Sequence, residues 1–359
     1  MPALTTKAMS RAAESPFLDR ELFVGTSEEE WEPRAATLAG GSPFLHDVED
    51  GRLFEAFVPK VSQADLRTRI DEYFNRANVE YTIPKRTLPD GTEVAESKAE
   101  ARPQFRYARR DSEAVKSAAI TRVSHLVGRS LSAQHRKAIG TAVYGRAKPS
   151  EIAGITQVLI DKGELDAVRA DNPGASSNFL IRALQRKFKI GIDCAGYVQL
   201  AFIFAYTGSD DDPSSLRERL GLHPRRTYEA LRRLSATHFT KVPIVDARTG
   251  DLFVLKPQET SDDQAWHTVI IVERTVSGTV HTFVVHASWG VDLYGLASGG
   301  VRKRRWQHDT STGKWWDIAP VDRTVCGEDV KKGDKACVNT IGPYNAHRPY
   351  GVYRPKEKT

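Results

Sequence analysis

Cysteine is scarce here, with three in 359 residues, Cys194, Cys326 and Cys337. That is too few for a disulfide framework. No C-x-x-C pair occurs, so the ordinary signature of a structural zinc site is missing and no metal or cofactor is expected. No run of about 18 apolar residues exists, which excludes a transmembrane helix as an expectation. The opening "MPALTTKAMSRAAESPFL" lacks the apolar core of a secretory signal. It therefore predicts synthesis in the cytoplasm without Sec export, any export or injection following a non-classical route. The pattern also lacks the strand–helix alternation of a parallel sheet.

What is present suffices for a large core: 40% hydrophobic residues, with six Trp, eleven Tyr and fourteen Phe. The net charge of +6 is uneven, because residues 1–58 carry eleven Asp/Glu against five Lys/Arg, leaving +12 on the remainder. A basic body suits an anionic partner such as a bacterial wall polymer or a membrane surface, and equally a plain solvated surface. The densest basic run is "VRKRRW" at 301–306. Its alternation is expected to expose charge on both faces, as in an edge hairpin. Nucleic acid is not the expected partner.

Three regions follow. Residues 1–58 read as a disordered acidic tail, too polar to fold alone, with a near-repeat of Ser-Pro-Phe-Leu at 15–18 and 42–45. Two copies of one apolar anchor suggest a docking peptide. Residues 59–170 read as a helical region of unknown role. Ser62 with Asp65 three later is an N-terminal capping pattern, and Leu66, Ile70 and Phe74 fall on one face. Residues 171–359 read as a catalytic domain, with helices to about 206, a lid or substrate wall over 209–235, and antiparallel strands after 240. Helices first and strands later predict an α+β fold. Cys326 and Cys337 flank a turn-rich segment and either bridge or stay reduced.

"KIGIDCAGYVQLAFIFAY" at 189–206 places Cys194 where a helix begins. Asp193 is a suitable N-cap, and the free N–H groups and dipole of a helix start favour a thiolate. Ala195 and Gly196 are small enough to admit a substrate, and backbone N–H groups here suit an oxyanion. The plain alternative is a buried core cysteine. In "AWHTVIIVERTVSGTVHTFVVHASWG", a tight turn at Ser277-Gly278 sets His267 opposite Ser288, with His286 diagonal to it on the same face. On that register His267 is the expected base and His286 the residue that orients it. Trp306, Trp315 and Trp316 are read either as glycan-stacking or as packing residues. Asp262 and Asp263 are read as turn residues.

Asp193-Cys194-Ala195-Gly196-Tyr197-Val198 resembles the Asp-Cys-Ser-Gly-aromatic-Val motif of NlpC/P60 cysteine peptidases, papain-like enzymes of bacterial cell walls. "GDLFVL", "HTVIIV" and "VHAS" resemble that family's later strands, in order, so the likeness covers roughly 178–320. It implies a papain-like core, a cysteine-bearing helix packed on an antiparallel sheet, and hydrolysis of amide bonds in peptidoglycan stem peptides. Carried over, Cys194 is the nucleophile, His267 the base and His286 the orienting residue. Two positions depart from the pattern: Ala195 replaces the usual Ser, and Trp266 stands where Gly commonly precedes the base. The same constellation serves transamidation, deamidation or acyl transfer, and a catalytically dead wall-binding protein keeps the scaffold alone. The tail resembles Ser-Pro-Phe-Leu segments of proteins associated with contractile injection systems, which implies docking on that machinery.

Overall fold

Periodic apolar stripes build the helices, and their ends carry the capping residues the sequence places there. In the computed structural model, residues 58–88, 91–108, 111–128, 130–131, 133–209, 239–257, 267–290, 299–318, 323–325, 328–330, 335–338 and 347–357 are described. The tail motifs, the 210–238 stretch, Asp262, Asp263, Trp266 and Cys326 lie outside them, as does the side chain of Cys337. Helix α1 (Gln63–Arg76) starts at Ser62, whose hydroxyl accepts the Asp65 N–H, and it buries Leu66, Ile70 and Tyr73. Beyond it lie strands β1 (Val79–Ile83), β2 (Arg86–Thr87), β3 (Glu93–Val94) and β4 (Ser97–Ala101), forming two small antiparallel ribbons. Their polar, two- to five-residue runs carry no clear strand period, so this stretch read as helical in sequence.

Helices α2 (Glu113–Val127), α3 (Ala133–Val143), α4 (Pro149–Asp161), α5 (Glu164–Asp171) and α6 (Ser177–Lys187) follow. Helix α7 (Cys194–Thr207) is apolar on all sides and almost wholly buried, ending at Gly208 in the left-handed conformation.

The strands after 238 form one eight-stranded antiparallel sheet, in the order β13-β10-β9-β8-β7-β6-β14-β5. They are β5 (Phe239–Val242), β6 (Leu252–Pro257), β7 (His267–Ser277), β8 (Val280–Trp289), β9 (Gly300–Asp309), β10 (Trp315–Ile318), β13 (Lys335–Val338) and β14 (His347–Pro355). A separate ribbon pairs β11 (Arg323–Val325) with β12 (Glu328–Val330). The fold is α+β. Helix α7 lies across β7 and β8, and α1 lies beside α7 and against β7.

The β7–β8 hairpin departs from the predicted register. Ser277 pairs with Val280, so the turn is Gly278-Thr279, with Gly278 at φ +59. This is the arrangement in which glycine takes the first central position of a two-residue turn; a Ser277-Gly278 turn would force serine into the left-handed region. A bulge between Ile271 and Glu273 shifts the pairing again, so that Ile270 faces His286.

Opposed residues share a face, and side chains alternate along a strand. The helix-covered face therefore carries Val254, Thr268, Ile270, His286, Ser288 and Lys303. The other face carries Phe253, His267, Val269, Trp289, Arg304 and Trp306.

The basic run does not form an edge hairpin. β9 is an interior strand, and Arg304 is buried against the equally buried Asp317. Trp306 and Trp315 are also buried, with Trp306 packing edge-on to Phe253 and Trp289 at 6.0 and 5.7 Å. Packing, not glycan stacking, accounts for these two rings.

Candidate active site

The chain enters α7 through a tightly fixed backbone path. The Ile192 N–H donates to the Gln104 carbonyl at 2.9 Å, and the Asp193 N–H donates to the Gly145 carbonyl at 2.9 Å. Asp193 then caps the helix, its Oδ1 accepting the Gly196 N–H at 2.6 Å, while Arg146 Nη1 lies 3.1 Å from the same oxygen. Gly196 is small for a steric reason: a Cβ there would sit 2.4 Å from the Gly145 carbonyl oxygen. Cys194 thus occupies the first helical position.

Burial decides the state of the thiol. Cys194 is 9% exposed, and its pKa is pushed up to about 12, first by desolvation and then by the neighbouring Asp193 carboxylate. The backbone N–H groups of Thr268 and Ala195 and the charge of Arg146 act in the opposite direction, and are outweighed. The acidified thiol anticipated from the helix start is therefore corrected: in this arrangement the sulfur is a protonated thiol. Asp193 is likewise held above the usual carboxylate range by burial, with Arg146 partly offsetting it.

The sheet brings one histidine to the thiol's side and turns the other away. Thr268, whose N–H acts on the sulfur, follows His267 directly in the chain. The His267 side chain, however, belongs to the opposite face, where its ring lies 4.3 Å from that of Trp289. His286 stays on the helix side. Two residues along β8, Ser288 Oγ donates to the Ile192 carbonyl at 2.7 Å, fastening this strand to the segment that leads into Cys194.

His286 is fully buried and packed under Phe74 of α1, ring centroids 4.3 Å apart. The Arg102 guanidinium also lies over the Phe74 ring, 4.1 Å from its centroid. Asp71, one helical turn before Phe74, has its Oδ1 3.6 Å from His286 Nε2 and 3.0 Å from Lys303 Nζ. Desolvation, with Lys303 and Arg102 nearby, holds the imidazole well below its usual pKa, so it is neutral at neutral pH.

Sequence reading missed Asp71, Arg102, Lys303 and Arg146. None lies near Cys194 in the chain, and only the i, i+3 spacing of Asp71 and Phe74 hinted that these two share a helix face. No family model, curated protein or solved structure matches this chain. Among the described residues, no helix is long and apolar enough to cross a membrane.

Proposed function

We propose that the protein is a thiol-dependent amide hydrolase of papain-like type that works through a thioester on Cys194. The observation that carries this reading is the placement of the Cys194 sulfur at the mouth of α7 beside the Thr268 and Ala195 N–H groups, with an imidazole-bearing sheet directly beneath. Such donors stabilise negative charge developing on sulfur or on a carbonyl oxygen. The thiol proton passes to an imidazole of the sheet as sulfur bonds to the carbonyl carbon. The C–N bond breaks, the amine leaves with that proton, and water then cleaves the thioester to regenerate the thiol.

The substrate class proposed is the stem peptide of peptidoglycan, on the motif likeness around Cys194 and the +12 charge outside the first 58 residues. The Ser-Pro-Phe-Leu tail is proposed as a docking element for contractile injection machinery, a route to the wall that needs no Sec signal.

The test is digestion of purified sacculi by wild type and Cys194→Ala, with products identified by mass. Wild type should release peptides that Cys194→Ala does not; identical product patterns would refute the hydrolase. The same digestion with an added amine acceptor tells transamidation from hydrolysis by the mass of the adduct. Burial of the thiol favours a second reading, a wall-binding protein on a silent scaffold. That reading requires sacculus binding by both proteins and product from neither.

A further inference from the structure

A fully buried histidine without a hydrogen bond is costly unless its nitrogens have a use. Among the described residues, neither His286 Nδ1 nor Nε2 has a hydrogen-bond partner, although the ring is wholly enclosed. Its Nε2 points at a carboxylate, Asp71 Oδ1 at 3.6 Å, half an ångström or so beyond a good hydrogen bond. Lys303 Nζ, 3.0 Å from the same oxygen, holds that carboxylate at the ring's edge.

Register supplies the second observation. His286 lies on the helix-covered face with Thr268 and Ser288, the two residues that meet Cys194 and its leader segment. His267 lies on the far face against Trp289. One strand row, about 7 Å, separates His286 from Ser288 along β8.

We propose that Asp71 is the positioning carboxylate for His286, and that this imidazole, not His267, is the base that serves Cys194; the assignment rests on the thiol-hydrolase reading. In this arrangement Nε2–H is directed at Asp71 and the Nδ1 lone pair takes the thiol proton as sulfur bonds to the carbonyl carbon. The same ring returns the proton to the amine as the C–N bond breaks. It then accepts a proton from the water that cleaves the thioester, and hands that proton back to sulfur.

The charged groups around the ring are Asp71 from α1, Lys303 from β9 and Arg102 from the segment after β4, with Phe74 as the apolar cover. They make the test directional. A base works while unprotonated, so the acidic limb of the kcat/KM profile on sacculus digestion reports its pKa. Asp71→Asn removes a negative charge and should move that limb down by about one pH unit, lowering kcat/KM about 10- to 100-fold as the ring loses its orientation. Asp71→Glu should restore part of the rate. Lys303→Met removes a positive charge from a half-exposed, replaceable side chain and should move the limb up by a similar amount. A purely structural role would not shift the limb in opposite directions for these two variants.

Below pH 7, the alkylation rate of Cys194 by iodoacetamide, read at the Cys194 peptide by mass, gives the same comparison without any substrate, because a protonated imidazole beside the sulfur raises the thiolate fraction there. Should the limb follow His267→Asn and stay fixed in Asp71→Asn and Lys303→Met, the assignment falls while the hydrolase stands. Should wild type and Cys194→Ala give the same products, the hydrolase itself falls, and the alkylation series still decides which imidazole communicates with the sulfur.

Discussion

The resting thiol of Cys194 should be unusually hard to ionise, and the cost can be worked from its surroundings. Burial and Asp193 take its pKa from an ordinary value near 9.0 to about 12. At about 1.4 kcal/mol per pH unit, the thiolate is roughly 4 kcal/mol harder to form than in an exposed cysteine. At neutral pH its population is then about a thousandfold lower. Because alkylation follows the thiolate, iodoacetamide should modify Cys194 about a thousand times more slowly than a free thiol at pH 7. The rate should rise about tenfold per pH unit through pH 11. Urea-unfolded chain, read at the same peptide, should inflect near the ordinary thiol value of about 8.5.

The sign of the linked stability follows. Between about 8.5 and 12 the unfolded chain has lost the thiol proton and the folded chain keeps it, so stability is full below about 8.5 and falls as pH rises. Cys194→Ala should remove that slope. A rate plateau between pH 7 and pH 10 in the folded protein would refute the burial argument and restore the helix start as the dominant influence.

Two further outcomes test the scaffold. Asp317→Asn removes the carboxylate paired with the buried Arg304 guanidinium and should cost about 3–5 kcal/mol in urea unfolding, whereas exchanging the pair together for apolar residues should cost far less. Gly196→Ala drives a Cβ into the Gly145 carbonyl and should destabilise by about 1–3 kcal/mol, with accelerated alkylation of Cys194 as the helix entry shifts.

The helix starts were legible because capping is a local transaction. Ser62 accepts the N–H three residues on, and Asp193 does so at α7. The β-rich stretches around 252, 267, 280 and 300 likewise announced an antiparallel sheet, since β-branched and aromatic runs separated by turn residues need only neighbours to pair. Even the pairing of β9 with β10 across the segment around Ser311 follows from local sequence.

What the chain could not reveal in one dimension was phase and enclosure. The bulge after Ile271 decides that His286 shares a face with Thr268 and not with His267, because side chains alternate with a period of two and an odd slip exchanges the faces. Burial of Cys194 drives its pKa up, and the groups that partly oppose this, the Thr268 N–H and Arg146, reach the sulfur from separate parts of the chain. The carboxylate beside His286 comes from a helix 215 positions earlier in the sequence, Asp71. Capping and strand propensity belong to short peptides and can be read there; strand phase, desolvation and long-range charge pairing exist only once the helices are laid against the sheet.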